Sequence, residues 1–325
     1  VILFLSSDFL ISTFEPTNKI QLLSSDYLIY RCIGLPFYLL NMHSTAVLRG
    51  LKYAKITLYS AIIVSISNVV FSLFFGLYLG YGASGIGFAS SVAFFIASIY
   101  SVSILKKQQS HLNVSYEDVD KASMRRKFFS VGSYIVIRSL FLTLFFAYIR
   151  NRAALMSMDE IALQHILLQL WSVGYIFVDA VAIAAQTLIA ELISKKEKYQ
   201  NSLLQKELIS VTTIISLILS LIPLIFLESF IEMFTGDRFD LFVDFRLKVM
   251  VSISLLIGCF AFLWDGVLLG LDKPKEFSLL SILSAIAGFL ICSYLLMYQN
   301  TIEILWVSIN VSLTVRAVLG YLYQK

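Results

Sequence analysis

The chain has 325 residues, of which 58% are hydrophobic and 14% charged, and a formal net charge of +4. A soluble domain carries about 45–50% apolar and about 25% charged residues, and a chain this apolar has too little polar surface to cover itself. The small positive charge lies in loops and leaves no nucleic-acid footprint.

A bilayer lifts the surface requirement but asks for runs of roughly 20 apolar residues, each satisfying its own backbone as a helix. Apolar runs lie at 1–14, 27–48, 56–80, 84–105, 128–149, 162–192, 208–234, 247–271, 276–297 and 302–323. They do not alternate and are about twice the length of a barrel strand, which excludes an outer-membrane barrel. The reading is an all-α polytopic membrane protein with nine full spans and one short run at the start. The three cysteines, Cys32, Cys259 and Cys292, fall inside apolar runs and read as packing residues.

Between the runs the loops alternate in charge. Arg49, Lys52 and Lys55 follow the second run. Lys106, Lys107, Lys121, Arg125, Arg126 and Lys127 fill a long polar linker, which has room for a short surface helix. Lys195, Lys196 and Lys198 follow the sixth run, and Lys273 and Lys275 the eighth. The intervening loops are neutral, mixed or acidic. The positive-inside rule puts the basic set, the linker and the C-terminal Lys325 in the cytoplasm.

The chain also repeats. Val47-Leu48-Arg49-Gly50-Leu51, followed by Lys55, recurs as Val267-Leu268-Leu269-Gly270-Leu271, followed by Lys275, at an offset of 220. The same offset lays Asp8-Phe9-Leu10-Ile11 near Glu228-Ser229-Phe230-Ile231. Internal repeats are a building rule of secondary transporters. The organisation read from this is residues 1–105 as the later part of one lobe, 106–127 as a cytoplasmic linker, and 128–325 as a complete six-span lobe. The repeat implies two and a half further spans before Val1 and twelve in all. The alternative is a natural ten-span chain.

Ionisable residues inside a span are costly, about 2.5–3.5 kcal/mol at helix centre on insertion scales, so each needs a reason. Arg138 and Asp179 lie near the middles of the consecutive fifth and sixth runs and are expected to meet at similar depth. Two readings stand: a structural ion pair, or a cation- and proton-binding carboxylate tuned by its arginine. Asp265, in Trp264-Asp265-Gly266, is a second cavity candidate or a snorkelling acid. Thr45 holds its place in the first half. Asn68, with Ser65 and Ser72 on the same helical face, is a polar stripe or helix glue. His165, between Gln164 and Gln169, is a proton shuttle or an interfacial residue. Arg316 is expected to snorkel. Trp171, Trp264 and the many other aromatics read as packing or lipid-facing, with a few able to stack on an aromatic cation. No phosphate loop, metal cluster or nucleophile elbow is present, so the chain does not read as an enzyme and any transport needs an ion gradient or a partner.

The run from Ala162 to Trp171, then Asp179 and Ala184-Ala185-Gln186, resembles the MATE (multidrug and toxic compound extrusion) family, in particular its DinF-like branch. Tyr30-Arg31 through Gly34-Leu35-Pro36, Arg49-Gly50, Asn68, Gly82 through Ala89, Arg138 and Asp265 through Gly270 fit as well, in register over the whole chain. The resemblance implies two pseudo-symmetric six-helix lobes, the first incomplete here and the chain starting in the third helix. It implies a monomer of the bacterial cytoplasmic membrane that exports lipophilic or cationic compounds against H⁺ or Na⁺ without a cofactor. Two departures matter. The family's Asn-x-x-x-Asp reads Asn68 and then Ser72, and its Ala-Ala-Glu ends in Gln186. Both remove carboxylates and shift weight to Asp179 and Asp265. The related alternatives are a lipid-linked saccharide flippase, which needs a cationic cavity from Arg138 and Arg31, and a non-transporting scaffold.

Overall fold

The computed structural model describes residues 18–109, 120–195, 198–235 and 244–324. The run at 1–14 and the centre of the linker lie outside them. The described residues form helices joined by turns, in two compact units, Val1–Asp118 and Val119–Lys325.

In the first unit α1 spans Asn18–Gly50, α2 Ala54–Phe71 and α3 Gly82–Gln109. α2 continues without a break into a π-helical segment, Ser72–Tyr78. α1 and α3 form the main packing, and α2 lies against α3. Small residues allow this approach: Gly34 meets the Ser91 side chain and Gly85 meets the Phe75 carbonyl. α2 with its π segment, and α3, are long and apolar enough to cross a membrane. α1 has the length, 33 residues, but Arg31, Asn41 and His43 dilute its apolar character.

In the second unit α4 spans Lys121–Ala153, α5 Met158–Ser194, α6 Lys198–Thr235, α7 Phe245–Gly270, α8 Pro274–Leu295 and α9 Ile302–Tyr323. All six carry segments long and apolar enough to span. Polar caps fix the starts of three of them. Asp120 accepts from the Ala122 and Ser123 amides, and Asp244 from that of Arg246. Ser157 and Glu160 close a reciprocal capping box at α5. α7 is the hub, packed by α5, α6 and α9, while α4 rests on α8. Gly266 of α7 abuts the Ala182 backbone and Gly270 abuts Ile189, so α5 and α7 touch nearly backbone to backbone.

The repeat is visible in hydrogen bonds. After α1, Leu51 N donates to Val47 O, Lys52 N to Arg49 O and Tyr53 N to Leu48 O; after α7, Leu271, Asp272 and Lys273 N donate to Val267, Leu269 and Leu268 O. These are two Schellman closures at an offset of 220, each with a left-handed residue at the same place, Lys52 (φ 68°) and Asp272 (φ 56°). Leu48 and Leu268, which supply the long closing bond, are both fully buried. α1 packs on α3 as α7 packs on α9.

Candidate functional site

The second unit buries an ionic cluster around one carboxylate. Asp265, 7% exposed on α7, accepts from Arg316 of α9 along the whole guanidinium edge: Nε reaches Oδ1 at 3.1 Å and Nη2 reaches Oδ2. Arg138 of α4 adds a third contact, Nη2 to Oδ2 at 3.3 Å, and donates Nε to Ser281 Oγ of α8 at 2.8 Å. Each guanidinium also covers a ring, Arg138 over Phe277 at 4.2 Å and Arg316 over Phe262 at 4.9 Å. Four helices therefore converge on Asp265. Two cations and one anion leave the cluster one positive charge in excess, and the bidentate geometry is the arrangement that makes such a pair strong.

Asp179 stands apart. It is exposed in the middle of α5 and makes no ion pair among the described residues. Its charge acts at longer range on both Arg138 and Arg316. The expected Arg138–Asp179 contact is thus replaced by Arg138–Asp265, because α4 and α5, although consecutive, barely touch. Arg316 is corrected too: it does not snorkel but is 5% exposed and bonded inside the unit. Depth was the available signal, since Asp265 and Arg316 each lie within two turns of their helix C-termini, Gly270 and Tyr323. One turn before Asp179, the buried phenol of Tyr175 lies beside Gly258, and its Oη has no hydrogen-bond partner.

Other residues singled out in the sequence scatter. Gln186 is exposed two turns beyond Asp179, and His165 is exposed near the start of α5. It is the neighbour of His165, the buried Gln164, that is engaged: Trp306 Nε1 donates to its Oε1 at 3.0 Å. Asn68 donates Nδ2 to Ser90 Oγ at 3.0 Å and accepts from Ser72 Oγ at 3.2 Å, so the two candidates of the first unit form one half-buried group, while Ser65 is exposed. The π segment that follows carries Phe75 to the wall of a cavity of about 460 Å³, shared with Tyr30, Tyr81 and Phe88. A separate cluster was not legible: Asn41 Oδ1 accepts from Ser60 Oγ at 2.8 Å and Ser101 Oγ at 2.9 Å, tying α1, α2 and α3. It lies one turn from Thr45, the counterpart of Asp265. The first unit thus holds neutral amide and hydroxyl groups about where the second holds an ionic cluster.

Long apolar helices closed around buried amide and ionic clusters define a multi-pass α-helical membrane protein. The chain is similar to proteins of the MATE family in sequence and in fold. The MatE family model matches residues 1–74. Protein DETOXIFICATION 44, chloroplastic, of Arabidopsis thaliana is 23% identical over 98% of this chain and 61% of its own length. DNA damage-inducible protein F of Escherichia coli K12 is 23% identical over 89% of this chain and 63% of its own. The same fold is seen in the outward-facing conformation of a multidrug resistance MATE family transporter of the MOP superfamily, with a TM-score of 0.87 at 15% identity, over 99% of this chain and 73% of that one. A MATE crystal structure in complex with MaL6 also gives 0.87, at 14% identity, over 99% of this chain and 74% of that one. The chain spans 57–61% of the length of the DETOXIFICATION relatives named 44 and 42.

Proposed function

We propose that the protein is a secondary transporter that exports lipophilic, often cationic, compounds in exchange for H⁺ or Na⁺ by alternating access, in a bacterial cytoplasmic membrane with the C-terminus inside. The observation that carries this is an exposed Asp179, without an ion pair among the described residues, in the same unit as a buried cluster with one excess positive charge. When Asp179 is ionised the four groups balance. A proton or an organic cation on Asp179 uses up that balance, and accommodating both adds an uncompensated charge beside the buried cluster. Mutual exclusion of the two is the condition for exchange, and the ligand that binds one state more tightly shifts the population of states. The aromatic cavity of the first unit, with Tyr30, Phe75, Tyr81 and Phe88, supplies faces on which a flat cation stacks.

A flippase for a lipid-linked saccharide asks for guanidiniums free to hold a phosphate. Arg138 and Arg316 are both engaged by Asp265, which weighs for the antiporter. The test is efflux of a cationic dye from everted vesicles with and without an imposed pH or Na⁺ gradient. Asp179→Asn is expected to abolish gradient-driven efflux while the protein remains inserted. Unchanged efflux removes Asp179 from the mechanism.

A further inference from the structure

On the second unit, α5 and α6 leave a long groove of about 760 Å³ between them. Its walls are apolar side chains at helical spacing, Phe177, Ala180 and Ala184 on α5 and Leu204, Val211 and Ile222 on α6, and its one charged lining residue is Glu207. The stretch of α6 from Leu204 to Ile222 runs about 27 Å at 1.5 Å per residue, somewhat more than one leaflet with its headgroups, about 20–22 Å. Glu207 sits near the end of this stretch that carries the lysines. Lys206, the adjacent residue, is exposed like Glu207, and neither makes an ion pair among the described residues. Asp179 is not among the groove's lining residues.

An apolar furrow in a membrane-spanning helix pair, long in one direction and carrying a single anion, Glu207, toward one end, matches an amphiphile with a cation in its headgroup. We propose that the groove holds one phospholipid with a primary-amine headgroup, its acyl chain along α5 and α6 and its ammonium on Glu207. The primary amine matters because it donates hydrogen bonds to a carboxylate, which a trimethylated amine does not. The elongated shape suits a chain better than a compact aromatic drug.

The protein in detergent micelles is offered phosphatidylethanolamine, phosphatidylcholine and phosphatidylglycerol of matched chains at equal concentration, and retained lipid is counted by native mass spectrometry. Phosphatidylethanolamine is expected to be retained about fivefold over each of the others, the scale of one partly exposed charge contact. Glu207→Gln brings the three level, and Ala184→Trp, which fills the groove, lowers retention of all of them. Headgroup-blind retention, no retention, or a preference that survives both variants overturns the proposal.

Discussion

Arg316 and Asp265 meet edge to edge inside the second unit, both carboxylate oxygens engaged by one guanidinium, and Arg138 is bound to the same carboxylate from another helix. The group at the centre is therefore the anion, and each cation depends on it. Removing one partner of a buried pair strands the other charge, at a cost of about 3–5 kcal/mol. Asp265→Asn is expected to lower the thermal midpoint of the detergent-solubilised protein more than Arg138→Gln, since it strands two guanidiniums rather than relieving an excess. Adding Arg316→Gln to Asp265→Asn is expected to recover part of the loss. Asp179→Asn is the contrast: an exposed, unpaired acid changes stability by no more than about 0.5 kcal/mol, so its effect on efflux reads as function. Fluorescence-detected size-exclusion after heating measures all four, and an Asp265→Asn protein as heat-resistant as the parent refutes the ion-centred picture.

Gly266 follows Asp265 in the chain and faces the Ala182 backbone across the closest approach of α5 and α7. A methyl there has no flexible neighbour to displace, so the helices must part and carry Asp265 away from Arg316. Gly266→Ala is expected to cost about 1–3 kcal/mol, as overpacking does. Gly50, near the end of α1, has nothing within reach of an added Cβ, and Gly50→Ala is expected to be neutral or to stabilise by up to about 1 kcal/mol through helix propensity. The paired melting curves separate packing from propensity.

The sequence carried the helices because bilayer hydropathy is a local signal. Run 302–323 and α9 coincide almost residue for residue. The repeat was legible too, and its hydrogen bonds follow the same offset. Partner choice was not. Packing of consecutive helices would pair Arg138 with Asp179, but α4 sits on α8, so its arginine reaches α7 and α8 instead. Asn41 carries no local signal inside an apolar run because its partners, Ser60 and Ser101, lie 19 and 60 residues away. The π-helical turn of Ser72–Tyr78 has no sequence mark, since it depends on how Phe75 and Gly76 pack on Gly85 and Ile86.

The Asn41 cluster is the neutral counterpart of the ionic one and is expected to behave differently when cut. Asn41→Ala leaves two buried hydroxyls without their shared acceptor, which costs about 1–3 kcal/mol for the desolvated groups. Asn41→Asp keeps an acceptor oxygen for both hydroxyls but adds a charge at a site 8% exposed with no guanidinium in its hydrogen-bond network. It is expected to be tolerated only in protonated form, so that its melting temperature falls as pH rises through the range where a buried carboxyl ionises. A pH-independent deficit would place a cation near Asn41 and remove the distinction between the two clusters.

The paired left-handed residues give a test of the repeat by energy rather than by pattern. Lys52 and Asp272 occupy equivalent C′ positions with φ of 68° and 56°, a conformation that favours glycine and tolerates an acidic or amide side chain better than a lysine. Lys52→Gly is expected to relieve up to about 1 kcal/mol of backbone strain in the first unit, less whatever the contacts of the Lys52 side chain contribute. Asp272→Gly is expected to gain less, because Asp already suits the position and also pairs with Lys127 at 2.6 Å, both side chains about two thirds exposed, a contact worth about 0–1 kcal/mol. Lys127→Ala removes that contact alone, so in its background the gain from Asp272→Gly should rise toward a purely conformational value. Thermal unfolding of the two glycine variants, with and without Lys127→Ala, measures this. If Asp272→Gly gains more than Lys52→Gly in the parent background, the two turns are not energetically equivalent despite their shared hydrogen bonds.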